Sequence, residues 1–417
     1  MTQPALERKL GLFGAMSIGL AAMIGAGVFS VFGPAARVAG EWLLLGLALA
    51  LLVAACNATS TAQLSAKYPT SGGAYHFGSQ ELGAWPGFIA GWGFVIGKTA
   101  SAAAMALTLG AYLVPDLFWQ RAIGLVAVAL VVVLNLVGIT RTARAAAGIV
   151  TLVLTGLAVM LIVAWTTTPT SDATFVLVPD ASIYGVLQSA GLMFFAFAGY
   201  ARIATLGEEV RDPTRVIPRA IITTLVLVAA LYVLVAVTLL ARLGPLRLAA
   251  SDAPLVDLVS GAPGVGMVVV ITATLACLGA LLAGVAGITR TGLAMARNHD
   301  LPVVLSRLSP SHNVPALLTI VVGVAVAVLI LIGDIRDVIG FSSVGVLVYY
   351  LVANLSALHQ RGDDRRYPKW MQLLGAALCA VLVVTLPVWS VVGGLGVLAL
   401  GVVGRLIFRR GRASAKS

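Results

Sequence analysis

Long apolar runs separated by short polar connections repeat along nearly the whole chain. An α-helix of about 20 apolar residues crosses a bilayer, and about twelve runs reach that length. The first extends from Gly11 to about Ala36, the second from about Trp42 to Ser65, the third from Trp85 to Leu113 and the fourth from Ala122 to Ile139. The fifth covers Ala146 to Trp165, the sixth Ile183 to Leu206, the seventh Ala220 to Leu240 and the eighth Gly264 to Ile288. Four more follow, at Pro315 to Ile332, Val338 to Leu358, Met371 to Pro387 and Trp389 to Phe408. The short-segment alternation of a membrane barrel does not occur. The pattern therefore predicts an all-α polytopic membrane protein. Pro69, Gly72 and Gly73 punctuate the connection after the second run and predict a turn leading into a short surface helix.

Composition narrows this reading. With 60% hydrophobic residues, 10% charged and a mean hydropathy of +1.02, the chain is too apolar for a soluble domain. No polar connection is long enough to hold a separate one. Arg8 and Lys9 precede the first run, but that run is too long for a signal peptide and lacks a convincing cleavage site.

The formal net charge of +11 would suit a nucleic-acid partner, but the placement of the charges argues against one. If the N-terminus is cytoplasmic and the spans alternate, most of the 27 Lys and Arg fall in cytoplasmic segments, Arg405 among them. Arg37, Arg121, Arg242, Arg247 and Arg336 form the external set. This is the positive-inside bias, and it predicts a multi-pass cell-membrane protein with both termini cytoplasmic. Cys56, Cys277 and Cys379 sit singly in separate runs, and the four histidines lie in or near connections. Neither set has metal-site spacing, so no metal, cofactor or catalytic residue is expected.

Two features stand out inside the apolar runs. Met23-Ile24-Gly25-Ala26-Gly27-Val28-Phe29 puts two glycines at the centre of a span, where each costs about 1 kcal/mol of helix stability relative to Ala. Two readings stand: close packing of a neighbouring helix, or a broken helix whose freed backbone groups face protein or a wet cavity. The sixth span also carries a central glycine, Gly199, and holds the same place in the second group of five spans as the first span does in the first group. Groups offset by five spans are inverted, and paired interruptions in inverted repeats point to a transport site at the membrane midplane.

Four stretches in order then resemble the amino acid–polyamine–organocation (APC) superfamily of secondary transporters. They are Ile24 to Phe29; Tyr68 to Tyr75; Phe195-Ala196-Phe197-Ala198-Gly199-Tyr200 with Glu208 to Pro213; and Arg290 to Pro302. The resemblance implies a first repeat over residues 1–166, an inverted second over 167–360, and two extra helices with a tail over 361–417. It implies alternating access around unwound parts of spans one and six. Ile24, Gly25, Ala26 and Gly27 would receive a substrate carboxylate on free amides, in keeping with the positive end of a half-helix. Carbonyls near Phe195, Ala196, Ala198 and Gly199 would take the amino group, with the Phe195 ring as a gate and Tyr200 and Arg202 as further candidates.

The chain departs from that pattern in two places. Where relatives often carry an acidic residue after the span-six aromatic, this sequence has Ala201 followed by Arg202. Where proton-coupled relatives place a lysine in span five, it has Leu154, while Lys98 supplies an ammonium from span three. A charge at mid-membrane costs about 2.5–3.5 kcal/mol on insertion scales and is a functional hypothesis by default. Desolvation without a partner disfavours the charged form, so such a lysine can take up and release a proton. Lys98 is accordingly the expected proton-coupling residue, reaching the cation site between spans one, five and eight. The alternative is that it snorkels or caps backbone carbonyls. Arg202 either faces the inner vestibule, disfavouring cationic substrates, or pairs with Glu208 or Glu209.

The expectation is a proton-coupled symporter of neutral, or else acidic, amino acids, with substrate, proton and lipid bilayer as partners, acting as a monomer or homodimer. Alternatives are an uncoupled exchanger or exporter, a carrier of polyamines or cationic amino acids, and a channel or nutrient sensor on a transporter scaffold. A membrane-embedded enzyme is not expected, since it would need a nucleophile with a base or a metal cluster and the spans hold no His, Asp or Glu.

Overall fold

The computed structural model describes residues 8–25, 27–70, 72–138, 143–169, 182–309 and 312–414. Among the described residues the regular structure is helical, with one isolated bridge between Leu10 and Val210 and no strand. The first span is split into α1 (Leu12–Ile24), α2 (Gly27–Ser30) and α3 (Phe32–Ala39). There follow α4 (Leu43–Lys67), the short helix α5 (Ala74–Glu81), which buries Ala74, Tyr75, Phe77 and Gly78 rather than lying on the surface, α6 (Ala84–Leu113), α7 (Leu117–Leu136) and α8 (Ala143–Thr167). The sixth span consists of α9 (Ile183–Phe197), a 3-10 turn over Ala198–Tyr200 and α10 (Ala201–Ala204). Beyond it lie α11 (Pro213–Ala250), α12 (Pro254–Asp257), α13 (Pro263–Arg297), α14 (Ala316–Ile332), α15 (Ile335–His359), α16 (Lys369–Thr385) and α17 (Val388–Ser414).

Ten segments are long and apolar enough to cross a membrane, and α14 and α16, at 17 residues each, add two shorter apolar helices. Local signals start several of them. Asp116, Ser182 and Asp334 each accept a hydrogen bond from a backbone amide of the first turn that follows, satisfying donors that a helix start otherwise leaves unpaired. The seventh span is longer than its apolar run because α11 opens on Pro213, a favoured first helical residue, and continues to Gly244. There φ reaches 73° and breaks the helix before Pro245. Much of the connection after the fifth span falls at residues 170–181, outside the described residues.

Helices α6, α9 and α15 bury most of their residues and form the centre of the bundle, whereas α7 and α17 turn largely outward. The N-terminal segment is tied to the connection between α10 and α11: Leu10 N donates to Glu209 O at 3.0 Å, and Arg211 N donates to Leu10 O at 2.8 Å. This fastens the N-terminal end of α1 to the chain leaving the sixth span, so the two interrupted spans are joined at one end of the bundle.

Candidate functional site

The two interrupted spans meet at their breaks. Gly25 leaves helical geometry at φ −27°, ψ −111°; Ala26 lies outside the described residues. From Gly27 the backbone becomes helical again, and Val31 N to Gly27 O (3.3 Å) and Ala35 N to Val31 O (3.0 Å) carry α2 and α3 on as one half-helix. The glycines also set the packing distance. A Cβ on Gly27 would sit 2.8 Å from the Ala196 Cβ and 2.7 Å from the Tyr232 hydroxyl, and one on Gly199 would sit 2.6 Å from the Ala22 carbonyl. A Cβ on Gly25 would overlap the Ala280 side chain of α13. Break and close packing, opposed as readings of the sequence, therefore coexist.

Broken backbone inside a membrane needs partners for its carbonyls, and three tyrosines supply them. Tyr232 of α11 donates to Met23 O at 2.6 Å, with Ala196 O 3.3 Å away as a second acceptor, so one hydroxyl spans both breaks. Tyr350 of α15 lies 3.4 Å from Ala198 O. Tyr112 of α6 donates to Phe29 O at 3.0 Å. Sequence reasoning missed all three. For Tyr232 and Tyr350 the signal was present in a tyrosine well inside an apolar run, since a buried phenol normally finds a hydrogen-bond partner.

Lys98 of α6 reaches the same place. Its Nζ donates to Ala198 O at 3.3 Å, so the carbonyl expected to meet a substrate amine already holds an ammonium. The Phe195 carbonyl accepts the Ala198 amide. Lys98 lines a narrow cavity of about 40 Å³ with Ala22, Phe94, Ser101, Met105, Gly199, Arg202 and the α13 residues Ala280, Ala283, Gly284 and Gly287. No carboxylate lines it among the described residues. Nor does α8: Leu154 is 37% exposed on the outer face, and the fifth span instead turns Val150, Val153 and Leu157 inward. The expected approach of Lys98 to a site walled by spans one, five and eight is thus altered, with α1, the sixth span and α13 forming the wall. Gly25, Gly27, Phe195 and Ala196 are buried at the breaks, next to this cavity rather than on its lining. Ile24 and Tyr200 are also buried, and the Tyr200 ring packs 5.1 Å from that of Tyr350.

Arg202 lines the Lys98 cavity and two others. One, of about 100 Å³, is bounded by Ile18, Ala21, Ala146, Glu209 and Arg290. The largest, about 310 Å³, opens at the end of the bundle that carries the N-terminal segment and is bordered by Gly72, Thr205, Glu208, Arg290 and Arg297. The expected pairing with Glu208 or Glu209 is not what holds Arg202. Its Nη1 donates to Thr205 Oγ1 at 2.8 Å, while Glu209 Oε1 pairs with Arg290 Nη1 at 3.0 Å.

One further cluster joins three segments that the sequence had left unconnected. Arg405 of α17, expected among the cytoplasmic cations, is buried and pairs with Asp300 at 2.6 Å, both side chains being nearly inaccessible. Tyr75 of α5 donates to the other Asp300 oxygen at 2.9 Å, and Asn298 donates to the Tyr75 hydroxyl at 2.9 Å. Burial pushes the Tyr75 phenol above its usual value, so it stays protonated and donating at neutral pH. The Arg405 guanidinium lies 4.5 Å from the Trp85 ring centroid and 4.6 Å from that of Phe88.

A bundle of apolar spans with two interrupted helices in contact at mid-bundle, and a vestibule leading toward them from one end, has the architecture of a membrane carrier. The sequence profile of the amino acid permease family matches residues 10–400, and the chain belongs to that family, within the APC superfamily. An uncharacterized transporter of Mycobacterium tuberculosis is 50% identical over 416 residues, covering 98% of this chain and 93% of its own. The branched-chain amino acid permease of Bacillus subtilis is 25% identical over 441 residues, covering 98% of this chain and 94% of its own. The chloroplastic cationic amino acid transporter 7 of Arabidopsis thaliana is 27% identical over 379 residues, covering 84% and 65%. The protein is accordingly a multi-pass membrane transporter of amino acids and not an enzyme.

Proposed function

We propose that this transporter is a proton-coupled secondary carrier of neutral or acidic amino acids, working by alternating access through two inverted five-span repeats, with its termini in the cytoplasm. The substrate carboxylate would meet the amides at the start of the half-helix from Gly27, and its amine the carbonyls of the Ala198 turn, under the Phe195 ring. On this reading the larger cavity, bordered by Glu208, Arg290 and Arg297, would be the vestibule on the cytoplasmic side.

The observation that carries the reading is the Lys98 Nζ contact of 3.3 Å to Ala198 O. If substrate amine and lysine ammonium use the same carbonyl, binding of one changes the surroundings of the other, and the lysine's proton becomes linked to substrate occupancy. That linkage is the physical requirement for coupling. The cations Lys98 and Arg202 along the path count against cationic substrates, although the Arabidopsis relative is named for them.

The test is Lys98→Met in proteoliposomes made from the purified full chain. Counterflow of labelled substrate should persist, while uptake driven by an imposed proton gradient should fall to the level seen without one. Undiminished gradient-driven accumulation in the variant would refute the coupling role.

A further inference from the structure

We propose that the transported amino acid carries a second negative charge, as in a dicarboxylic amino acid, and that Arg202 is the residue that reads it. This deepens the carrier reading above and rests on it. Arg202 borders all three cavities along the path from the open end of the bundle to the break in the sixth span. Among the described residues its guanidinium donates one hydrogen bond, from Nη1 to Thr205 Oγ1 at 2.8 Å, which orients the guanidinium without neutralising it. Among the described residues it makes no ion pair. Glu209 and Arg290, whose charges reach it, are already closed on each other at 3.0 Å. Lys98 lines the innermost cavity with it, no carboxylate does so among the described residues, and the partner of Lys98 is a main-chain carbonyl.

A partly desolvated guanidinium with only a hydroxyl partner is unfavourable unless an anion visits it. The α-carboxylate of a neutral amino acid has another receptor in the amides of the first-span break and would leave Arg202 unmatched. A side-chain carboxylate is the group that completes it, because guanidinium donors fit that planar acceptor in a fork. Gly284 and Gly287 of α13 line the same cavity as Arg202 and leave its wall unfilled, since a Cβ on either would meet nothing within 4 Å.

The experiment is counterflow in proteoliposomes of the full chain, loaded in turn with L-glutamate, L-aspartate, L-leucine and L-arginine. Glutamate or aspartate should exchange fastest. Arg202→Gln should raise the KM for the acidic substrate at least about tenfold, as loss of a charge-assisted hydrogen bond implies, while the KM for leucine moves less than about twofold. Arg202→Lys should recover part of the acidic selectivity by keeping the charge. Wild-type preference for leucine or arginine would overturn the acidic assignment and leave the carrier reading intact, and needs no variant. Equal loss for every substrate in Arg202→Gln would reduce Arg202 to a structural role. Absence of counterflow with any amino acid would remove the carrier reading itself.

Discussion

Replacing Arg405 with Met isolates what the last span contributes. In the native protein the Arg405 and Asp300 side chains are 1% and 7% exposed and pair at 2.6 Å, so solvent screens the interaction very little. Removing the cation leaves the Asp300 carboxylate buried with the Tyr75 hydroxyl, 2.9 Å away, as its hydrogen-bond donor. Breaking a buried pair from one side costs about 3–5 kcal/mol, because the remaining charge is uncompensated. The lost stacking on Trp85 and Phe88 adds up to about 2 kcal/mol more where the cation is desolvated. Asp300→Asn strands Arg405 in the same way. The double variant removes both charges and should recover most of the loss, since a buried pair exchanged for neutral groups is often close to neutral overall. Reversible unfolding in mixed detergent micelles gives the three free energies and closes the cycle. A coupling energy above about 2 kcal/mol is expected. Additive effects, with a coupling below the roughly 0.3–0.5 kcal/mol seen for independent sites, would show that the pair does not hold α17 to the α5 and α13 ends, and the reasoning would fail.

Gly27→Ala tests the contact between the two breaks: its methyl would lie 2.8 Å from the Ala196 Cβ, and overpacking of this kind costs about 1–3 kcal/mol. Exchange should drop sharply, and a variant with native rate and stability would mean that the breaks are not in tight contact. His76 of α5 is half-buried, and burial lowers its pKa from the ordinary 6.5. The unfolded chain therefore takes up a proton first as pH falls below about 6.5, and stability drops with it. Melting curves between pH 7.5 and pH 5 should fall more steeply for the native protein than for His76→Gln, and parallel curves would exclude the residue.

The spans, the break at Gly25 and the short helix at Ala74 were legible because hydropathy and glycine placement are local signals. What the sequence hid depends on which residues meet across the bundle. Leu154 shows how small the margin is: successive helical residues point about 100° apart, so an alignment off by one position exchanges an inward face for a lipid-facing one. Arg405 sits near the end of the last apolar run and reads as one of the cytoplasmic cations, and only the fold brings Asp300 to it from another connection. The apolar runs hold no carboxylate for Lys98, and its partner is the carbonyl of Ala198, the backbone capping that the sequence left open as an alternative and that any residue at that position would offer. Unwinding a helix in a membrane creates such acceptors, so a chain without acidic groups at its centre can still hold cations there. Those cations differ in kind from Arg405. A guanidinium fixed to a buried carboxylate and stacked on two rings is part of the scaffold, whereas Lys98 and Arg202 are held by neutral oxygens at 3.3 Å and 2.8 Å beside open space. Neutral partners orient a charge without cancelling it, which leaves these two cations able to respond to a proton or an arriving anion.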